Sequence, residues 1–320
     1  MAFTALVVYF DLYIRPVGVP GNIIPSLSIV VGLMLVFRNG SSYDRFWTGR
    51  NNLAQICASV RNLTRYFLTC SRDGKDERSE NERRDTEAVV RVLVSVLYAI
   101  KHNLRAEFSD NSVTGPDTPL YMSVSSSFMP TPSAKLSRRA SVLDAEALTE
   151  SLTTIRPEYN EGLPRTLSHL EDQGLSMPLQ LAVGVEAYIR RGVLRGWWAP
   201  PQASYLDTQL AAIVQNYTTM ETIRFTPLPV AHLIHVRQVL ALYMMVLPFG
   251  IVDEWAWWTI LLIGVVAFTL YGIESIGGQL EDPFGYDKND IKMDAIVEDT
   301  KVECEALLKE WQNPHSVLFA

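Results

Sequence analysis

The run PVGVPGNIIPSLSIVVGLMLVF, Pro16 to Phe37, holds no charged residue and is followed at once by Arg38. About 20 apolar residues reach across a bilayer core, so this run is long enough to span one. Two further stretches share its character. WAWWTILLIGVVAFTLYGI, Trp255 to Ile273, is uncharged throughout, and VRQVLALYMMVLPFGIV, Val236 to Val252, carries only Arg237 near its start. The latter is short for a span, but a cationic end can snorkel to the interface. A buried helical hairpin in a soluble core is the alternative. The cluster of Trp255, Trp257 and Trp258 beside Asp253 and Glu254 favours the membrane, because indole rings settle at the headgroup level.

Working outward, the first fifteen residues, MAFTALVVYFDLYIR, are apolar but interrupted by Asp11. They lack the basic start and small-residue cleavage site of a signal peptide. They read as the second half of a transmembrane helix whose first half is missing, with Pro16, Gly18, Pro20 and Gly21 as the turn into the next span. Arg38, Arg45 and Arg50 follow that span, whereas the link between the last two spans offers only Asp253 and Glu254. The positive-inside rule then puts Arg38 onward in the cytosol and the Asp253–Glu254 turn outside. The expectation is an all-α, multi-pass integral membrane protein with four transmembrane helices in two hairpins and a helical cytosolic domain. Residues 1–37 hold the first two spans, 38–108 and 166–228 cytosolic helices, and 109–165 an insertion. Residues 229–274 hold spans three and four, and 275–320 a C-terminal cytosolic segment.

The cytosolic helices are read from period. Phe46, Leu53, Ile56, Val60, Leu63 and Phe67 recur at steps of three, four and once seven; Val89, Val92, Val96 and Ile100, with Leu93 beside Val92, and Leu206, Leu210, Ile213, Tyr217 and Met220 recur at steps of three and four. Such spacing marks amphipathic helix faces. SRDGKDERSENERRD, residues 71–85, is a mixed-charge loop and helix start. Residues 109–165 are rich in Ser, Thr and Pro and read as a disordered insertion. Within it, Arg138-Arg139-Ala140-Ser141 fits a basophilic kinase site at Ser141, against the alternative of a chance pattern. The glycosylation sequons at Asn62 and Asn216 fall on the cytosolic side of this topology.

Composition and motifs exclude several functions. With 320 residues, 48% hydrophobic and a net charge of −7, the chain is too apolar for a disordered polymer and too acidic for a dedicated nucleic-acid binder. Cys57, Cys70 and Cys304 lie far apart, in keeping with reduced cytosolic thiols rather than a disulfide framework or zinc site. No P-loop, G-x-S-x-G, H-E-x-x-H or dinucleotide fingerprint is present. His232 and His235 share a helix face but lack a third ligand nearby, so neither a metal nor a cofactor is expected. A conduit remains. Ile29, Leu33 and Phe37 fall at i, i+4 and i+8 and line one stripe of the second span. Ser28 and Gly32 make a small-x-x-x-small step beside it. In a symmetric ring of helices the stripe would stack into hydrophobic collars that conduct only when wetted. Packing against lipid or a neighbouring span is the alternative.

Three stretches resemble the bestrophin family of ion channels, in its bacterial and fungal branch. They are Phe37-Arg38-Asn39-Gly40-Ser41-Ser42-Tyr43-Asp44-Arg45-Phe46-Trp47; Ile223-Arg224-Phe225-Thr226-Pro227-Leu228-Pro229, leading to Arg237-Gln238 and Leu247-Pro248-Phe249; and Glu281-Asp282-Pro283-Phe284-Gly285. The resemblance implies a homopentamer around a central pore, passing chloride and similar monovalent anions, with lipid around it and the plasma membrane as its expected site. It implies a hydrophobic neck at Ile29, Leu33 and Phe37, and a cytosolic constriction near Ala199–Ala203, assigned to Pro201 and Gln202; Pro200-Pro201 also reads as a plain helix boundary. The acidic run by which animal members bind calcium is missing after Gly285, where Tyr286-Asp287-Lys288-Asn289-Asp290 follows. Calcium needs six to eight oxygens, so Glu281, Asp282, Asp287 and Asp290 are expected to make structural contacts. A cation channel of the same fold, a membrane enzyme using Glu274, Glu281 and Asp282 as metal ligands, and a non-conducting scaffold are the competing readings.

Overall fold

A computed structural model of the chain describes residues 1–70, 80–105, 176–313, 315, 316 and 318. Among them every regular element is an α-helix: α1 (Ala2–Tyr13), α2 (Ile23–Cys70), α3 (Glu80–Arg105), α4 (Met177–Leu194), α5 (Pro200–Phe225), α6 (Val230–Trp255), α7 (Trp258–Gln279) and α8 (Met293–Gln312). The Ser-rich insertion and its Ser141 kinase pattern lie outside the described residues. α2, α6 and α7 are each long and apolar enough to cross a membrane; α1, twelve residues long, is shorter.

The element boundaries carry their own chemistry. α2 takes Pro25 into its first turn, where a missing N–H costs nothing, and no later proline interrupts it. It therefore runs 48 residues, joining the apolar Pro16–Phe37 run and the amphipathic stretch from Tyr43, read separately in the sequence, as one helix. α5 opens on Pro200 and Pro201, tolerated in a first turn for the same reason. α6 keeps Pro248 inside it.

The chain forms two compact units, one of residues 1–52 and 219–291, the other of residues 53–218 and 292–320. In the first, Val31 and Leu35 of α2 pack with Val236, Leu240, Tyr243 and Leu247 of α6 and Ile263 of α7. Ser28 is hydrogen-bonded to the Tyr243 hydroxyl at 2.9 Å, so this small residue is also a polar tie between α2 and α6. In the second unit, α3 packs on α4 and α8, and Leu68, Val90, Leu308 and Trp311 share a core. α8 buries Met293, Val297, Thr300, Cys304, Leu308 and Trp311, one face at steps of three and four. Asp294 on α8 takes ion pairs from Lys101 at 3.2 Å and Arg105 at 2.7 Å. Burial pushes its carboxyl up, but those bonds and charges outweigh burial and hold it below its usual range. The hydrogen bond from Tyr98 lowers Glu298 more than burial raises it, with Lys301 adding to the lowering. Burial raises the Cys304 thiol, keeping it protonated and unreactive.

Candidate functional site

α2 has two faces of opposite character along its apolar half. Val31, Leu35, Arg38, Ser42 and Gly49 are buried, stepping by four, three, four and seven. On the other side Ile29 is 70%, Leu33 53% and Phe37 63% exposed, flanked by exposed Val30 and Val36. A helix turns 100° per residue, so Ile29, Leu33 and Phe37 lie within an arc of about 80°. Among the described residues nothing lies within 4 Å of where a side chain at Gly32 would begin. The chain thus covers one stripe of this helix and leaves the stripe with the three large apolar groups uncovered.

Immediately beneath, the buried stripe turns ionic. Arg38 is 1% exposed, and its Nη1 donates to Glu274 Oε1 of α7 at 2.5 Å. The same oxygen accepts a hydrogen bond from Arg237 Nε of α6 at 2.8 Å. One carboxylate therefore joins α2, α6 and α7. A guanidinium this deeply buried is tolerable only when an opposite charge compensates its lost hydration. Beside it, Asn39 Nδ2 donates to the Leu35 carbonyl and packs against Gly277, where an added Cβ would meet Asn39 Oδ1 at 2.9 Å.

One turn further on, Tyr43 stacks on Trp47 and Arg45 reaches three backbone carbonyls. Its Nη2 donates to Ile223 O at 2.5 Å, Nη1 to Thr226 O at 2.7 Å and Nε to Glu281 O at 3.0 Å. The first two close the C-terminal end of α5 and the third follows the end of α7, so one side chain caps two helix ends whose last carbonyls lack intrahelical donors. Arg224 reinforces this junction by pairing with Asp282 at 2.5 Å.

The Glu281–Gly285 segment folds into a closed turn. Asp282 Oδ1 accepts from the Phe284 amide at 3.4 Å, and Ile291 N–H donates to Pro283 O at 3.0 Å. Asp290 Oδ2 accepts from the Asp287 amide at 2.8 Å. Phe284 is 1% exposed, its ring pressed on Gly49, where an added Cβ would sit 2.9 Å from Cζ. Of the acidic groups considered for calcium or a metal, Glu274 faces two guanidiniums, Asp282 faces Arg224 and Asp290 an amide. Among the described residues no group of three or more His, Cys, Asp and Glu is placed to hold a metal ion. His232 and His235 are both exposed at the start of α6.

In the second unit, Pro201 is exposed in the first turn of α5 and Gln202 Oε1 accepts from the Ala199 amide at 3.0 Å. That is the returning half of a capping box, and it gives Gln202 a helix-starting contact. Behind it Trp198 is buried against Phe67, Tyr188 and Gly192. Sequence reading missed the Arg38–Glu274–Arg237 cluster and the carbonyl partners of Arg45. The available signal for the first was three ionisable residues, each at the inner end of an apolar run.

The sequence profile described as "Bacterial/Fungal Bestrophin protein" matches residues 1–306. A voltage-dependent anion channel-forming protein of Nostoc sp. is 32% identical over 284 residues, 88% of this chain and 75% of that one. One from Synechocystis sp. is 29% identical over 97% of this chain and 84% of its own length. The crystal structure of a bacterial bestrophin homolog from Klebsiella pneumoniae superposes with a TM-score of 0.69, covering 96% of this chain and 95% of that one; at 19% identity it speaks for the fold. With three helices able to cross a bilayer and a family profile that spans nearly the whole chain, this protein is an integral membrane protein belonging to the bacterial/fungal bestrophin family.

Proposed function

We propose that the chain is one subunit of a passive anion channel, a homopentamer whose central pore conducts chloride and other small monovalent anions. The observation that carries this reading is the uncovered stripe of Ile29, Leu33 and Phe37 on a membrane-length helix whose opposite face is packed and charge-anchored. In a closed ring of subunits that stripe faces the axis and forms the neck. Large monovalent anions shed water more readily than small cations at an apolar constriction, and the electropositive edge of the Phe37 ring suits a passing anion. Dry collars of this kind gate by wetting. The names of the Nostoc and Synechocystis relatives, anion channel-forming proteins, support an anion as the conducted species.

In this reading α1 belongs to the first of four spans, Arg38 onward lies in the cytosol, and Pro201 and Gln202 form the cytosolic constriction. The protein spans the membrane several times, with the plasma membrane as its site and lipid around it. High-affinity calcium activation is not expected, because the stretch from Tyr286 to Asp290 lacks the acidic run and supplies too few of the six to eight oxygens that calcium takes. Bilayer recording under bi-ionic conditions tests the function. A reversal potential that follows the chloride gradient supports it. One that follows the sodium gradient assigns a cation channel of the same fold, and absence of flux assigns a scaffold.

A further inference from the structure

We propose that Asp44 discriminates charge at the cytosolic mouth of the neck, drawing small cations there and holding anions back. The proposal rests on the pore reading above and names the polar group that the same stripe presents next. α2 is helical without interruption from Phe37 through Asp44. At 100° per residue Asp44 falls about 20° from the line of Leu33, inside the arc of the three neck residues, and about 10 Å along the axis from Phe37. Its side chain is exposed and makes no hydrogen bond or ion pair among the described residues.

The cations of the same stretch are spent elsewhere. Arg38 is held by Glu274, which also holds Arg237; Arg45 is held by three carbonyls and Arg224 by Asp282. Arg50 is half-buried and lies about 120° round the helix from Asp44. Arg38 and Arg45, which the sequence clusters at the inner membrane boundary, are therefore engaged within the protein while Asp44 is exposed. Repeated by the symmetry of a closed assembly, Asp44 becomes a ring of carboxylates in a confined, low-dielectric mouth, where fields are focused and ion concentrations shift accordingly. Such a ring makes the channel less anion-selective than its apolar neck alone would be.

The test is the permeability ratio in reconstituted bilayers under a KCl gradient. Asp44→Asn is expected to raise the chloride-to-potassium ratio about three- to tenfold, allowing for water and salt screening across the mouth. Asp44→Glu keeps the charge and should keep the wild-type ratio. Because Asp44 is exposed and makes no hydrogen bond or ion pair among the described residues, neither variant should lower the thermal midpoint. An unchanged ratio in Asp44→Asn, with conductance raised by replacing Ile29, Leu33 and Phe37 together with Ala, overturns this proposal and leaves the pore reading intact. Unaltered currents in both Asp44→Asn and the triple-Ala neck variant overturn the pore reading and this proposal together.

Discussion

Arg45 offers a direct test of how the membrane unit is held together. Replacing it with Ala removes three hydrogen bonds, at 2.5, 2.7 and 3.0 Å, from carbonyls at the ends of α5 and α7. A hydrogen bond to a charged group contributes about 1.5–3 kcal/mol. Simple addition would give about 4.5–9 kcal/mol, but contributions within one network do not add. The Thr226 carbonyl is also exposed and regains water. The expected loss is therefore about 2–4 kcal/mol. At about 2–4 °C per kcal/mol for domains of about 150–250 residues, the midpoint falls by about 4–16 °C. Arg45→Lys is the sharper variant. An ammonium keeps the charge but is a point donor without the planar fork, so it can serve only part of a three-carbonyl site. It should lose about half as much. The assay is tryptophan fluorescence during heating in one detergent at one scan rate, since unfolding of such proteins is often irreversible. An Arg45→Lys protein that melts with wild type would show that charge near two helix ends is sufficient and that the three-way fork contributes nothing.

Two further outcomes follow from charges elsewhere. Glu274→Gln leaves Arg38, 1% exposed, without its counter-charge and should cost about 3–5 kcal/mol; replacing Arg38 and Glu274 together with Met should restore most of that loss. A double variant as unstable as the single one would contradict the pairing. The second outcome concerns acid. Asp294 and Glu298 are both held below their ordinary range in the folded protein, so their stabilising contribution is complete above the unfolded carboxyl values of about 4 and is lost as pH falls through the lower folded ones. Asp294→Asn should flatten the acid arm of midpoint against pH below about 4.5; an unchanged arm would remove Asp294 from that account.

The apolar runs were readable because a bilayer demands a length and a composition, and α6 and α7 sit where those demands place them. α2 was harder. Its composition changes sharply at Arg38, yet its buried stripe does not, since Arg38 and Ser42 continue the face begun by Val31 and Leu35. Polarity and burial part company there because Glu274 compensates the arginine, and nothing local in sequence announces a residue 236 positions away. Arg45 was legible as a motif residue but not as a cap, because backbone carbonyls carry no sequence signature. The face of α8 was present at its three- and four-residue spacing, but Thr300 and Cys304 dilute its hydrophobicity. Gln202 shows a second contact that its residue type does not announce: its side-chain oxygen accepts from the Ala199 amide and closes the first turn of its own helix.

Single-particle imaging of the reconstituted protein shows whether several α2 helices share one axis. Five copies around one axis, with Ile29, Leu33 and Phe37 of every α2 directed at it, are expected. A lone subunit, or an assembly in which those three side chains meet acyl chains, would contradict the pore reading.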